Sequence, residues 1–235
     1  MTLFPHYFDA FLDIGVAANA LKAEGENSFE VNIVSLRDHS EKGYKGVDDS
    51  VYGGGAGMVM RADVLKKALM EGVVTPGAYK DIKKELHIVY PAPRGKTWNN
   101  SYAKKWAAEF LDFSSEKDIV MICGRYEGID ERFLENYVDE YISLGDFILT
   151  GGELAVMTIL DSALRFVPGV LGNQLSNIDE SFQNNKIEYP VYTKPREFEG
   201  KLVPHELVSG HHQKIQNYKK TQSDLMTQKF RPDLL

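Results

Sequence analysis

Three glycine-rich strings hold the residue types and spacings from which a chemical site can be built. They are Tyr52-Gly-Gly-Gly-Ala-Gly-Met58, Ile122-Cys-Gly-Arg-Tyr-Glu-Gly-Ile-Asp130 and Ser143-Leu-Gly-Asp-Phe-Ile-Leu-Thr-Gly-Gly-Glu153. Glycine permits positive φ and lets a main chain approach a ligand, or another main chain, closely. The second and third strings each follow a predicted strand and precede a predicted helix. That is where an open α/β sheet binds ligands, outside the carboxyl ends of its strands. A phosphate cradle of the Walker type needs Gly-x-x-x-x-Gly-Lys-Ser/Thr, and no glycine string here is followed by that lysine. The Gly-x-Gly-x-x-Gly dinucleotide pattern is missing from both strand–helix turns as well. Main-chain amides and carbonyls facing a neutral or cationic ligand fit better. One such string alone reads as a tight turn; three together, two of them at strand ends, point to a site.

The elements that must position these loops follow from hydrophobic spacing. Alternating, β-branched residues over 29–36 predict a strand, as do the apolar runs at 86–90, 118–123 and 141–144. Residues 62–72 predict a helix with Val64, Leu65, Ala68 and Leu69 on one face, and further helices are expected over 99–111, 129–137 and 153–166. Strands alternating with helices imply parallel pairing and an α/β fold. From 172 to 195 the chain is rich in Asn, Gln, Ser and charge and has no period, which marks a linker or a functional loop. Beyond it, Ile215, Tyr218, Leu225 and Met226 stand at helical spacing, so a small helical second unit is expected.

Composition narrows the class. A 43% hydrophobic and 26% charged chain is of ordinary globular make-up. Its apolar stretches are far shorter than the ~20 residues of a membrane span, the start has no signal-peptide pattern, and the single Cys123 leaves no internal disulfide. The expected location is the cytoplasm. The net charge of −7 argues against a nucleic-acid binder taken whole. The charge is uneven, however: residues 186–235 carry nine Lys and Arg against six Asp and Glu, which permits RNA contact through that part.

Longer strings are more specific. YGGGAGMVM (52–60), ICGRYEGIDER (122–132), SLGDFILTGGELAVMTILD (143–161), RFVPGVLG (165–172) and VPHELVSGHHQKI (203–215) together resemble, in the same order along the chain, the bacterial tRNA (guanine-N1)-methyltransferase family of the trefoil-knotted SPOUT class. The resemblance implies an α/β domain over 1–171 with a mostly parallel sheet and a deep carboxyl-terminal knot. A flexible linker over 172–195 and a helical tRNA-binding domain over 196–235 would follow. It implies S-adenosylmethionine bound in the knot, magnesium for methyl transfer with no protein ligands named, and a homodimer whose site lies at the subunit interface with tRNA contacted by both chains. Carried over position by position, the cofactor residues are Tyr90, Pro91, Ala92, Pro93 and Gly95 in one loop and Gly124 with Glu127 in the next. The third loop adds Ser143, Leu144, Gly145, Asp146, Phe147, Ile148 and Leu149, then Gly151 and Gly152. Glu127 and Asp146 either hydrogen-bond turn amides or face the positive groups of the cofactor.

The implied reaction is methylation at N1 of the guanosine immediately 3′ of the anticodon, tRNA position 37. Guanine N1 carries a proton at neutral pH, so a base must remove it while the charge growing on O6 is stabilised. By resemblance Arg165 serves O6, although an arginine there also suits the end of a helix. The family has Asp directly before Ser-Phe, where this chain has Glu180, so Glu180 is the expected base with Asp179 in reserve. Ser50-Val51 stands where Arg-Pro is common, and Ala155 where Pro is. Two alternatives remain at this level: a knotted methyltransferase acting on another RNA atom, and a non-catalytic RNA-binding homologue.

Overall fold

The computed structural model describes residues 1–22, 28–40, 46–171 and 180–235. They form two units, Met1–Gly172 and Asn173–Leu235. In chain order the first contains the short helices α1 (Asp9–Asp13) and α2 (Val16–Leu21), then the paired strands β1 (Asp48–Ser50) and β2 (Met58–Met60). Next come α3 (Ala62–Leu69), α4 (Ile82–Glu85), β3 (Leu86–Thr97), α5 (Asn100–Phe110) and β4 (Asp118–Met121). Helix α6 (Glu131–Tyr137), β5 (Glu140–Ser143) and α7 (Gly152–Leu164) complete it.

The central sheet has the order β4-β3-β5 and is parallel throughout, so the expected α/β class with a parallel sheet is what forms. Its middle strand begins Leu86-His-Ile-Val-Tyr, apolar on both faces as a parallel strand covered by helices must be. Alternation divides those faces: Ile88 packs with Leu65 and Leu69 of α3 and Phe133 of α6, whereas Val89 packs with Trp106 of α5 and Ile159 of α7. Side-chain caps start α5 and α6, Asn99 accepting from the Tyr102 amide at 2.9 Å and Asp130 from the Arg132 amide at 3.0 Å.

Sequence and structure part company at 29–36. Only Ser35 bridges a neighbour, Thr2, and residues Leu36–His39 turn as a 3-10 helix. Val31 and Ile33 are 39% and 38% exposed. The alternation is there, but a strand also needs a partner for its ladder groups, and among the described residues most of this segment has none. Strand β3, in contrast, runs on to Thr97, well past the apolar residues that announced it.

The second unit contains the two-residue strands β6 (Glu197–Phe198) and β7 (Lys201–Leu202), then α8 (His205–Val208) and α9 (His212–Phe230). Glu199 and Gly200 turn the hairpin with φ of 51° and 76°, the doubly positive geometry of a tight two-residue turn. Within the segment 172–195, expected to be a flexible linker, Lys186 and Ile187 bond to α9. The Ile187 amide donates to Thr227 Oγ1 at 3.0 Å, Ser223 Oγ donates to the Ile187 carbonyl at 2.6 Å, and Lys186 pairs with Asp224. Polarity suggested a linker because these bonds are polar rather than apolar. Thr227 is fully buried, so Thr227→Val leaves the Ile187 amide without its acceptor. The expected loss is about 1–3 kcal/mol, read as faster amide exchange at Ile187 with the β3 amides unchanged.

Candidate active site

The first candidate loop interrupts β3. Pro91 and Lys96 both register against Ile142 of β5, so residues 92–95 leave the ladder and return to it at the same place. The strand then continues, and the Trp98 amide donates to the Ser143 carbonyl at 2.7 Å. Gly95 lies flat on β5: a Cβ there would stand 2.4 Å from Ile142 N and 2.5 Å from the Tyr141 carbonyl carbon. Arg94 is held outward by both oxygens of Glu131, at 2.6 and 2.7 Å. Pro93 is exposed, while Pro91 and Ala92 are half-buried.

Tyr90 links this loop to the next. Its ring is buried and rests against Gly124, where a Cβ would come within 2.7 Å of the phenol. Burial pushes the Tyr90 hydroxyl above its ordinary range, so it stays neutral. The loop after β4 is fastened on its other side by β2: the Glu127 amide donates to the Met58 carbonyl at 2.9 Å and the Met60 amide to the Gly128 carbonyl at 2.9 Å. The first glycine string therefore lies on the second. At Gly57 (φ +94°) a Cβ would collide with Glu127 Cγ at 2.4 Å. Glu127 itself is exposed. Beside it Tyr126 is 53% exposed at φ 57°, and burial of its hydroxyl, with the Asp48 carboxylate, pushes it up.

The third loop leaves β5 at the buried Ser143, whose Oγ accepts from the Gly145 amide at 3.2 Å. Leu144 and Leu149 are half-buried; Asp146, Phe147 and Ile148 are exposed, the last by 82%. The loop closes at Gly151 and Gly152. The Gly152 amide donates to the Gly124 carbonyl at 2.8 Å, and a Cβ at Gly152 would lie 2.6 Å from Gly124 N. The glycines at 95, 124, 151 and 152 are thus required by packing within the protein, with φ deciding at Gly145 (+141°). The loops after β4 and β5 meet at the carboxyl ends of their strands, while the loop at 92–95 interrupts β3.

Sequence reasoning missed two residues there. Arg125 Nη2 pairs with Glu153 Oε2 at 2.7 Å, Arg125 Nη1 donates to the Thr150 carbonyl at 3.1 Å, and Glu153 Oε1 accepts from Thr2 Oγ1 at 2.8 Å. Each is a charged residue directly following a string glycine, which was the available signal. That the two meet depends on topology.

Arg165 follows α7 as its capping residue, helical in φ and ψ and exposed. Glu180 is half-buried in the second unit, just before Ser181, whose Oγ accepts from the Glu188 amide at 3.0 Å. The two belong to different units, and Asp179 lies outside the described residues.

The donor set suits a sulfonium cofactor. Main chain from three loops is accompanied by the exposed apolar Phe147 and Ile148 and by the exposed carboxylates of Glu127 and Asp146. The first can face a flat base and the second a positive charge. Among the described residues no three His, Cys, Asp or Glu side chains converge to form a protein cage for magnesium.

Comparison with known proteins finds relatives along the whole chain. The family profile described as tRNA (Guanine-1)-methyltransferase TrmD matches residues 1–235. A Clostridium botulinum (strain 657 / Type Ba4) protein named tRNA (guanine-N(1)-)-methyltransferase is 44% identical over 237 residues, covering 100% of this chain and 90% of the relative. A protein of the same name from Pelagibacter ubique (strain HTCC1062) is 43% identical, with 99% and 94% covered. With strand-end loops closed on one another and a match along its whole length, the chain belongs to the tRNA (guanine-1)-methyltransferase family.

Proposed function

We propose that this protein transfers the methyl group of S-adenosylmethionine to N1 of the guanosine immediately 3′ of the anticodon, tRNA position 37. The methyltransferase activity on tRNA guanine follows from the family and from the names of its relatives. The observation that carries the site is the closure of the loop after β5 onto the loop after β4, Gly152 amide to Gly124 carbonyl, without room for a side chain at either glycine. The cofactor residues are those from Tyr90 to Gly95, Gly124 with Glu127, and Ser143 to Gly152. When bound, S-adenosylmethionine supplies an electrophilic methyl group.

The rest of the chemistry belongs to the protein. The Glu180 carboxylate takes the proton from guanine N1, so that the nitrogen lone pair becomes free to attack. Arg165 donates hydrogen bonds to O6, where the negative charge collects, and its guanidinium keeps its own charge throughout. Asp179 is the reserve base. The helical domain over 196–235, within the stretch 186–235 whose basic residues outnumber its acidic ones, grips the anticodon arm.

The excursion of residues 92–95 around a single register position on β5, and the return of α7's amino end onto Gly124, support a trefoil knot over this part of the chain. The active unit is a homodimer with its sites at the subunit interface. No helix among the described residues is long and apolar enough to cross a membrane, and the place of work is the cytoplasm, where tRNA is.

The test is transfer from labelled S-adenosylmethionine to an unmodified tRNA transcript, beside one lacking the guanosine 3′ of the anticodon. Label on the first alone is expected. Equal label on both would move the reaction to another RNA atom. Cofactor binding without label on either would make the chain a non-catalytic homologue.

A further inference from the structure

We infer that Arg125 is a positioning residue: with Glu153 it forms a buried clamp that holds the loop after β5 against the loop after β4, and this clamp sets the affinity for S-adenosylmethionine. The inference rests on the cofactor reading above and adds to it a pair that main-chain contacts alone do not require.

The two residues stand next to the glycines where the loops touch. Arg125 follows Gly124, and Glu153 follows Gly152. Their side chains are 14% and 1% exposed, with Nη2 and Oε2 separated by 2.7 Å. The other arm of the guanidinium, Nη1, donates to the Thr150 carbonyl, the last one before Gly151. Gly151 has to be glycine because the guanidinium occupies its side-chain position: a Cβ there would lie 2.3 Å from Arg125 Cζ. The second oxygen of Glu153 accepts from Thr2, which is itself buried. The rings of Phe4 and Tyr7 cover the guanidinium at 4.5 and 5.3 Å. Burial works against the charge of Arg125, and Glu153 together with the Tyr7 hydroxyl more than offsets it.

Stability alone does not call for such a pair. A buried ion pair is often no better than two apolar or neutral groups of similar size, whereas removing one partner strands the other. What an apolar pair cannot do is give the Thr150 carbonyl its donor. A planar guanidinium holds a carboxylate and a carbonyl from separate, fixed positions, a spread fork that the compact ammonium of a lysine lacks. Stability should therefore follow the balance of charge, and cofactor affinity should follow the fork of Arg125.

Three variants of the full chain separate these: Arg125→Met, Arg125→Lys, and Arg125→Met combined with Glu153→Gln, which keeps an acceptor for Thr2. Melting temperature and the dissociation constant for S-adenosylmethionine, by calorimetric titration, are measured on each. Arg125→Met should lose both stability and affinity. The double variant should melt within a few degrees of the parent and still bind about tenfold more weakly, the worth of one charge-assisted hydrogen bond. Arg125→Lys should fail to restore affinity. Parent-like binding by the double variant or by Arg125→Lys overturns the clamp while leaving the cofactor reading intact. A folded parent that binds no S-adenosylmethionine overturns the cofactor reading, and the clamp with it.

Discussion

Gly95→Ala is expected to cost about 3 kcal/mol or more of stability, the upper end for inserting one carbon into packed structure, and to abolish cofactor binding. The atoms in its way are main chain: Ile142 N at 2.4 Å, with Ile142 C and Tyr141 C at 2.5 Å. A side chain in conflict can change rotamer. Ile142 cannot retreat, because it is fully buried and carries the register of β5 on both Pro91 and Lys96. Gly169→Ala is the control. Its φ is +85° with nothing within 4 Å of the new carbon, so only the left-handed backbone penalty of about 1 kcal/mol applies. Urea unfolding of the two variants measures both. Equal midpoints would mean that the path of residues 92–95 across β5 is not as described.

Glu180→Gln is expected to lower kcat by roughly 10²–10⁴-fold, the usual contribution of a positioned general base, with cofactor affinity at the parent value. Gln is nearly isosteric and keeps a hydrogen-bonding head, so folding of the second unit should survive, including the Ser181–Glu188 contact beside it. Single-turnover methyl transfer to tRNA is the measurement. A variant at full speed removes Glu180 from the mechanism, and an inactive Asp179→Asn beside it would name the replacement. The longer reach of Glu adds a rotatable bond relative to Asp, so Glu180→Asp is the informative third variant, expected to stay within tenfold of the parent.

Much of the first unit was legible in advance. The four residues assigned to one face of the helix after 62 are all buried in the core. The strand–helix alternation from 86 to 164 came out as a parallel sheet with helices on both faces. Those features depend on periodicity, which is a local property. The segment 29–36 carried the same local signal and formed only one bridge, since a strand is completed by its neighbour. The hairpin at Glu197–Phe198 and Lys201–Leu202 was missed for the opposite reason, its strands being too short to show a period.

The candidate site divides along the same line. By itself the sequence determined which loops could bear chemistry, because glycine strings at strand ends and a family's long strings are readable residue by residue. It also identified Glu180 and Arg165 as the groups to test. Only tertiary structure decided what the glycines are for: at 95, 124 and 152 they admit protein main chain or the Tyr90 ring. It alone brought Arg125 to Glu153 and tied Lys186 and Ile187 to α9. Spacing along a chain records which groups repeat on one face. Contacts between loops that come from different strands depend on how the strands are ordered, and no short window of sequence contains that order.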